Sequence, residues 1–415
     1  MNVEYTPKAA TAAPLQLAQR SANLRSNAIR DMLKVAHQPG MIALGGGNPA
    51  KESFPVALMP RLMKDVMRRF SSNALQYCDT QGFPPLRQAL ADWLAQLQIA
   101  ATPDNIVVTT GSQNALDLLG KLLIDEQSPV VVEQPTYLGA LQAFSLFGPR
   151  WRYLDEDEEG PALQKLDALT APARPGDRAP LVYVMPTFRN PSGKSWSAER
   201  TRQAAAVLRR HGNWVVEDDP YRLLTYDTSP SPPLKSSLPE QTIYIGSLSK
   251  VFAPGLRLGY CIVPDPLLPW LVKAKQGTDL NTGTLSQALA AEYIQSGRLN
   301  DNLPLLRAIY RDKRDALTDA LARHLPGSFE FSIPKGGMFL WVKGPPGFDS
   351  DHFLSVAIAH GVFFVPGSAF FGDTLSEPMR QENARCMRLN FSGNDTDTLK
   401  RAAERLGKAL KTCNL

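Results

Sequence analysis

Ser247-Leu-Ser-Lys250-Val-Phe-Ala-Pro-Gly-Leu-Arg257-Leu-Gly-Tyr260 is the stretch around which the rest of the chain falls into place. It follows Thr242-Ile-Tyr-Ile-Gly246, an apolar run that reads as a buried strand ending in a small residue. A lysine, two serines and an arginine crowd into the short loop after it. Hydroxyls and a guanidinium suit a phosphate, because they offer several donors and a fixed positive charge. A lysine beside Arg257 and away from bulk water has a lowered pKa, hence a nucleophilic amine able to form a Schiff base. A phosphate pocket next to an imine-forming lysine points to pyridoxal 5′-phosphate (PLP). On this segment alone, the plain alternative is a surface loop with routine basic residues.

Outward from that loop, short apolar runs alternate with longer helical patterns. Asn105–Thr110, Pro129–Val132, Leu181–Met185, Trp214–Val216 and Gly259–Val263 read as further strands. Their near-continuous Val/Ile content indicates cover on both faces. Gln113–Ile124 and Ala198–Arg210 read as helices, the second closed by His211-Gly212. Strand–helix alternation over this length implies an α/β fold with a mostly parallel sheet sandwiched by helices. Near residue 295 the texture changes. An amphipathic helix from about Asn302 to His324, a hairpin-like stretch from Phe329 to Val342, two more α/β pieces and a helix from Asp397 to Lys411 indicate a smaller α+β domain. The residues before Gly47 are expected to join it, as an extended arm leading into a helix around Ala22 to Val35.

At 415 residues the chain is long for one core, which again favours a large domain with a smaller partner. Hydrophobic content of 43% with 20% charged residues marks a globular protein. The net charge of +5 is mild and the basic residues are scattered, so no nucleic-acid partner is expected. No apolar run approaches a membrane span, and the N-terminus lacks the apolar core of a secretory signal. The four cysteines form no Cys-x-x-Cys pair and the five histidines show no zinc-ligand spacing. A reduced, cytoplasmic setting fits. The acidic run Asp155–Glu159 beside Gly160-Pro161 reads as a solvated loop.

In a parallel sheet, functional residues gather beyond the carboxyl ends of the strands, and each conspicuous motif here follows a strand. Thr109-Thr-Gly-Ser-Gln113 opens a helix, and the N–H groups of Ser112 and Gln113 at the positive end of its dipole make an anion site; a plain N-cap at Ser112 is the alternative. Val215-Val-Glu-Asp218-Asp219-Pro-Tyr221 places acidic residues at the end of a buried strand, which is costly unless they are paired. One carboxylate there would hold a pyridine nitrogen protonated; capping or metal binding is the other reading. Adjacent residues of an extended chain point to opposite sides, so only one aspartate should reach the ring. Asn190, in Pro186-Thr-Phe-Arg-Asn-Pro-Ser-Gly193, either donates to a phenolate oxygen or serves a turn. Tyr137, in Glu133-Gln-Pro-Thr-Tyr137, either stacks on a flat ring or belongs to the core. Arg388, inside the strand-like Met387–Phe391, needs an anion if buried: a substrate carboxylate or a structural salt-bridge partner.

Taken together these motifs resemble those of PLP-dependent aminotransferases of fold type I, class I/II, and within them the 2-aminoadipate/kynurenine aminotransferase-like group. The resemblance runs from about Ser26–Arg30 and Leu44-Gly-Gly-Gly-Asn-Pro49 to Arg388, nearly the whole chain. It implies a large PLP-binding domain over 48–295, a C-terminal small domain over 296–415, and an N-terminal arm with part of the small domain over 1–47. Lys250 would be the Schiff-base lysine, and Asp218 the partner of the pyridine nitrogen. Asn190 and Tyr221 would contact the ring oxygen, and Tyr137 would stack on the ring and belong to the catalytic set. Ser112, Gln113, Ser247 and Arg257 would hold the phosphate, with Ser249 beside them. Tyr77 matches a tyrosine that reaches the phosphate of the neighbouring subunit of a homodimer. Arg388, assisted by Asn190, would bind the α-carboxylate, and Gly46 or Gly47 would line the substrate pocket.

Two stretches depart from the family's pattern. Arg189 stands where glutamine or histidine is usual, and Cys78-Asp-Thr80 replaces a more usual Gly/Ser-Pro sequence. Both are expected near the substrate side chain. The activity implied is transfer of the α-amino group of an L-amino acid to a 2-oxo acid such as 2-oxoglutarate. β/γ-Elimination, decarboxylation, racemisation or cyclisation on the same scaffold are the rival reactions. A PLP-binding transcription regulator would carry a separate DNA-binding domain, for which a pattern beginning by about residue 25 is expected to leave no room.

Overall fold

The structure is a computed structural model that describes residues 16–24, 38–371 and 375–413. In chain order its strands begin with β1 (Ile42–Ala43), β2 (Ile106–Thr109), β3 (Pro129–Glu133) and β4 (Arg150–Leu154). A small pair follows, β5 (Glu156–Asp157) and β6 (Gly160–Pro161), then β7 (Leu181–Val184), β8 (Val215–Asp218), β9 (Thr242–Ser247) and β10 (Gly259–Ile262). The C-terminal part holds β11 (Glu330–Phe331), β12 (Phe339–Lys343), β13 (Val362–Phe363), β14 (Val365–Pro366) and β15 (Cys386–Asn390).

Seven strands form the main sheet in the order β2-β10-β9-β8-β7-β3-β4. The pairs β3–β4, β3–β7, β7–β8 and β8–β9 are parallel. Apart from strand ends the residues of β2, β3, β7, β8, β9 and β10 are buried, as expected of strands covered by helices on both faces. β10 is the exception in direction: it runs antiparallel to both β9 and β2. The link from Ser247 to Gly259 is too short to hold a crossover helix, so the chain turns back beside the strand it left. The loop that carries Lys250 is therefore a hairpin-like excursion at one sheet edge, tied at both ends.

Local signals place the helices. Ser197 caps the helix Ala198–His211 by accepting from the Arg200 N–H at 3.1 Å, and Gly212 ends it in the left-handed conformation at φ +70°. The helix Ser112–Leu123 buries Ala115, Leu116, Leu118, Leu119 and Leu123 and keeps its first turn at the sheet edge. The long C-terminal helix starts at Arg298, a turn earlier than expected, and runs to His324. It packs against the last helix, Thr396–Thr412. Beside them lies the antiparallel sheet β11-β12-β15-β14, whose β11–β12 pair is the anticipated hairpin. β1 pairs in parallel with β13 and so joins the segment before Gly47 to the C-terminal region. Of the arm, Gln19–Asn23 form a short 3-10 turn; the rest of the expected helix to Val35, and Ser26–Arg30, lie outside the described residues.

As expected, the acidic run is solvated: Asp155, Asp157, Glu158 and Glu159 are exposed and only Glu156 is half-buried. The run forms the β5–β6 hairpin, held by cations on several sides: Asp157 pairs with Arg200 at 2.9 Å, Glu158 with Lys194 at 2.7 Å, and Glu156 turns inward to Arg189. Among the described residues no helix is long and apolar enough to cross a membrane, and no group of three His, Cys, Asp or Glu side chains is arranged to hold a metal ion.

The core face of the helix Ser112–Leu123 sets where its first turn stands. Leu119→Ala, at a position with no exposed surface, should cost about 2–5 kcal/mol of stability. Denaturant unfolding checks this, and an unchanged midpoint would mean that the helix is not anchored by that face.

Candidate active site

The carboxyl ends of β2, β3, β7, β8 and β9 and the start of β10 meet at one edge of the main sheet, where the register sets Gly259 opposite both Thr109 and Ser247. There a cleft of about 800 Å³ opens between the sheet, the segment Gly45–Pro49 and the C-terminal sheet. Thirteen of the fourteen residues singled out in the sequence line it. Ser112, Gln113, Ser247, Ser249 and Arg257 lie at one side, with Tyr137, Asn190, Asp218, Tyr221 and Lys250 facing the interior. Gly46, Gly47 and Arg388 close the other side. Tyr77 is the one left out: it is 77% exposed on the surface and does not line the cleft.

The anion-binding side depends on two glycines. Gly111 (φ +81°) precedes the helix, and a Cβ there would lie 2.5 Å from Arg257 Nη2. At Gly259 a Cβ would lie 2.7 Å from the Gly111 carbonyl carbon and 2.8 Å from the Ser112 nitrogen. Only missing side chains let the guanidinium and the helix N-terminus approach one another this closely. Ser112 is the first helical residue rather than its cap, a place taken by Gly111. Arg257 itself is left-handed, at φ +53°, and donates to the Thr110 carbonyl oxygen at 3.4 Å.

Lys250 Nζ donates to the Gly47 carbonyl oxygen at 3.0 Å across the cleft. Its pKa is brought down to about 8, first by loss of water around the amine and then by the positive charges of Arg257 and Arg388. The side chain is only half-covered, yet it points into the cleft, where protein replaces most of the solvent.

Asp218 is 1% exposed. Its Oδ2 accepts from the Tyr183 hydroxyl at 3.0 Å, whereas Oδ1 is buried without a partner. Burial, which outweighs the Tyr183 hydrogen bond, raises its pKa to about 7, with Asp219 adding repulsion. Asp219 turns the other way, to Arg222 and to the Tyr244 hydroxyl at 3.1 Å. The alternation of an extended strand thus leaves one aspartate for the cleft. Tyr137 and Tyr221 are both held as phenols by burial, the former pushed up to about 12.

Arg388, on β15 and 5% exposed, has no carboxylate partner among the described residues. It donates to Asn190 Oδ1 at 2.8 Å and to the Gly45 carbonyl oxygen at 2.6 Å. Its Cζ lies 4.4 Å from the centre of the Phe339 ring and 4.9 Å from that of Phe370, while Nε is buried without a partner. Burial lowers its pKa to about 10, opposed by Tyr221 and Tyr137. A cation stacked between rings, with one donor unused and no counterion, is suited to an incoming carboxylate.

Arg189 and Cys78 do not line the cleft, contrary to the expectation that they would lie near a substrate side chain. Arg189 points behind the sheet edge to Glu133, Glu156 and Ser192. Cys78 Sγ receives Gln287 Nε2 at 3.3 Å, close under the surface. Conversely, Tyr183, Phe339 and Phe370 were not read from the sequence. Tyr183 and Phe339 sit in apolar runs that carry no local sign of a cleft, and strand pairing brings them to Asp218 and Arg388, whereas Phe370 reaches Arg388 from a 3-10 turn after β14.

The donor set fits PLP on its own chemistry. An orphaned buried carboxylate oxygen matches a protonated ring nitrogen, two glycines shape an anion cup beside an arginine, and a lysine of lowered pKa stands between them. Comparisons with known proteins agree. The family model described as aminotransferase class I and II matches residues 39–406. Aromatic-amino-acid aminotransferase 1 of Thermococcus litoralis is 36% identical over 95% of this chain and 93% of its own. The 2-aminoadipate transaminase of Thermus thermophilus is 36% identical over 94% of this chain and 95% of its own. The solved structure of Pyrococcus horikoshii kynurenine aminotransferase, in complex with PMP, superposes with a TM-score of 0.87 at 34% identity, covering 95% of this chain and 97% of that one.

The orphaned aspartate has a measurable cost. Its folded pKa is raised, so the folded chain holds that proton more tightly than the unfolded chain does. The stabilisation this gives is full below the unfolded pKa and is lost as pH rises towards about 7. Above that a buried, unpaired charge remains. Cofactor-free Asp218→Asn should therefore exceed the cofactor-free parent by about 1–3 kcal/mol at pH 8, with the gap closing under acid conditions. Thermal unfolding at two pH values tests this; a variant no more stable than its parent at pH 8 would contradict it.

Proposed function

The chain belongs to the class I and II aminotransferases, PLP-dependent enzymes that move amino groups, and from that premise we propose that it transfers the α-amino group of an L-amino acid to a 2-oxo acid, with 2-oxoglutarate as acceptor. The observation that carries the finer reading is Arg388: a buried guanidinium with no carboxylate partner among the described residues, lining the same cleft as Lys250. Every α-amino acid and every 2-oxo acid presents the carboxylate that such a group lacks.

When bound, PLP supplies an aldehyde that takes up amino groups and a protonated pyridine ring that draws electrons from the carbon bearing them. The residues of this chain arrange the rest. Arg257, Ser247, Ser249, Ser112 and Gln113 would hold the phosphate. Asp218, whose Oδ1 is free of a partner, would hold the ring nitrogen protonated. Asn190 and Tyr221 would serve the ring oxygen, and Tyr137 would stack on the ring. Arg388 orients the substrate by its carboxylate, with Asn190 fixing the guanidinium plane, so that the α-hydrogen faces Lys250. The Lys250 amine is the proton carrier: Nζ takes the proton from the α-carbon and returns it on the other side of the exchange. An amine near 8 is partly neutral at physiological pH and suits both tasks. Gly46 and Gly47 leave room for the substrate beside it.

A homodimer is part of this reading, with Tyr77 reaching the cofactor phosphate of the neighbouring subunit. Its support is an exposed aromatic next to a second exposed apolar residue, Leu75, on a surface that a monomer gains nothing by presenting. The division into a large domain over 48–295 and a small one from the two ends of the chain is likewise proposed, supported by the β1–β13 pairing. A reducing, cytoplasmic setting is supported by the four unpaired cysteines.

Two experiments test the assignment. Borohydride reduction followed by peptide mapping should place the cofactor on Lys250 in the parent and nowhere in Lys250→Ala, which should also lose nearly all turnover. A label on another residue, or turnover retained, would refute the lysine's role. Arg388→Ala should remove a charge-assisted contact of about 2–3 kcal/mol. That corresponds to a loss of roughly 30- to 150-fold in amino-acid affinity, and normal saturation in that variant would remove Arg388 from the carboxylate site.

A further inference from the structure

Behind the cleft wall lies a charged cluster that the reaction does not use. Arg189 is 1% exposed and Glu133 2%, and burial raises the Glu133 pKa while the charge of Arg189 opposes the rise. The guanidinium bridges Glu133 and Glu156, and its Nε donates to Ser192 Oγ at 3.1 Å. Glu133 in turn accepts from the Met185 N–H at 2.7 Å and from Trp196 Nε1 at 2.9 Å. Burial alone would pull the Arg189 guanidinium down, but Glu133 and Glu156 hold its pKa above the usual value. Burying Arg189 with Glu133, and covering most of Glu156, is expensive, and apolar residues of similar volume would serve stability as well or better. A role in placement accounts for such a cluster where a role in stability does not.

Its position shows what is placed. Glu133 is the last residue of β3, and the chain runs from it directly to Tyr137. Met185 follows the last residue of β7, and the chain runs from it to Asn190. Arg189 also closes its own turn, its N–H donating to the Lys194 carbonyl at 2.9 Å and its carbonyl accepting from Gly193 at 2.7 Å. The chain bends here, with Phe188 at φ +45°, and the two neighbouring side chains leave it on different sides, that of Asn190 into the cleft and that of Arg189 away from it. Arg189 therefore grips the protein behind, while Asn190 presents its amide to Arg388 in front, at 2.8 Å.

We infer that Arg189 is a positioning residue: its grip on Glu133 and Glu156 sets where Asn190 stands, and so fixes the plane in which Arg388 receives a carboxylate. The inference rests on the reading of Arg388 as the carboxylate anchor. Arg189 does not line the cleft. Its action passes through one neighbour, which makes it separable by a double-mutant cycle.

The test is the half-reaction of the PLP-loaded enzyme, followed by cofactor absorbance, with L-phenylalanine, L-glutamate and L-2-aminoadipate, which share one α-carboxylate. Half-saturation and limiting rate are compared for the parent, Arg189→Gln, Asn190→Ala and the double variant. Arg189→Gln should raise half-saturation on the order of tenfold and alter the limiting rate less than about threefold, the pattern of lost binding rather than lost chemistry. Added to Asn190→Ala it should change half-saturation by less than about twofold, because the neighbour through which it acts is gone. Arg189→Lys, which keeps the charge but not the fork, should fall between parent and glutamine variant. A merely structural role would lower the melting temperature and leave half-saturation of the folded fraction alone.

Half-saturation unchanged in Arg189→Gln, or multiplied in full on the Asn190→Ala background, overturns the inference. If Asn190→Ala itself has no effect, the reading of the carboxylate site fails first. If Asn190→Ala weakens binding and Arg189→Gln does not, only the positioning role is lost. Should the glutamine variant not fold, Arg189→Lys carries the same cycle, with an expected rise of a few-fold and the same non-additivity.

Discussion

One buried guanidinium joins the three parts of this molecule. Arg388 sits on a strand of the C-terminal sheet, donates to a carbonyl of the N-terminal segment at Gly45 and to the Asn190 amide beyond a strand of the main sheet. Hydrogen bonds from a charged donor are stronger than neutral ones, and each is worth more where water is excluded. None of the acceptors carries a full negative charge, so the cation is oriented but not neutralised. The cleft exists because these parts meet around a charge that remains to be answered.

The same incompleteness recurs at Asp218, which has one oxygen occupied by Tyr183 and the other left bare in the interior. Its two neighbours in the chain have backbone or charged partners. Glu217, next in line, accepts the Leu234 and Lys235 N–H groups, and Asp219 has Arg222. Asp219 also keeps one oxygen without a hydrogen bond, but of the three successive carboxylates only Asp218 lines the cleft, and it alone has neither a cation nor backbone donors among the described residues. Stability is given up there for chemistry, in the manner expected of sites prepared for a partner.

Much of this was legible beforehand, for identifiable reasons. Near-continuous Val/Ile runs revealed the main sheet, and because its strands are parallel, motifs placed just after them had to converge at one edge. That logic located Ser112, Asn190, Asp218 and Lys250 together without any knowledge of their distances. It also predicted that one of the two adjacent aspartates would turn away. The direction of β10 was not legible, since a strand's own residues do not state which neighbour it joins. Arg189 was misplaced for a related reason: proximity in sequence to Asn190 says nothing of the side to which the longer side chain turns. Tyr183 and Phe339 were silent because a hydroxyl or ring within an apolar run looks like core until strand pairing shows what stands opposite. The inward turn of Glu156 within the exposed acidic run was not legible, because its cation, Arg189, comes from later in the chain.

The pairings that build the cleft also join distant parts of the chain. Ile106 finds its partner in Ile262, and Ile42 in Val362. A ribosome making this protein from its N-terminus therefore releases β1 and β2 long before the strands that will flank them exist. Until then their edges and apolar faces are open to chance encounters, the situation in which long-range topologies fold slowly and attract chaperones. The arginine that gathers the pieces, at position 388, emerges after every strand of the main sheet, so the hollow cannot close before the C-terminal sheet is made.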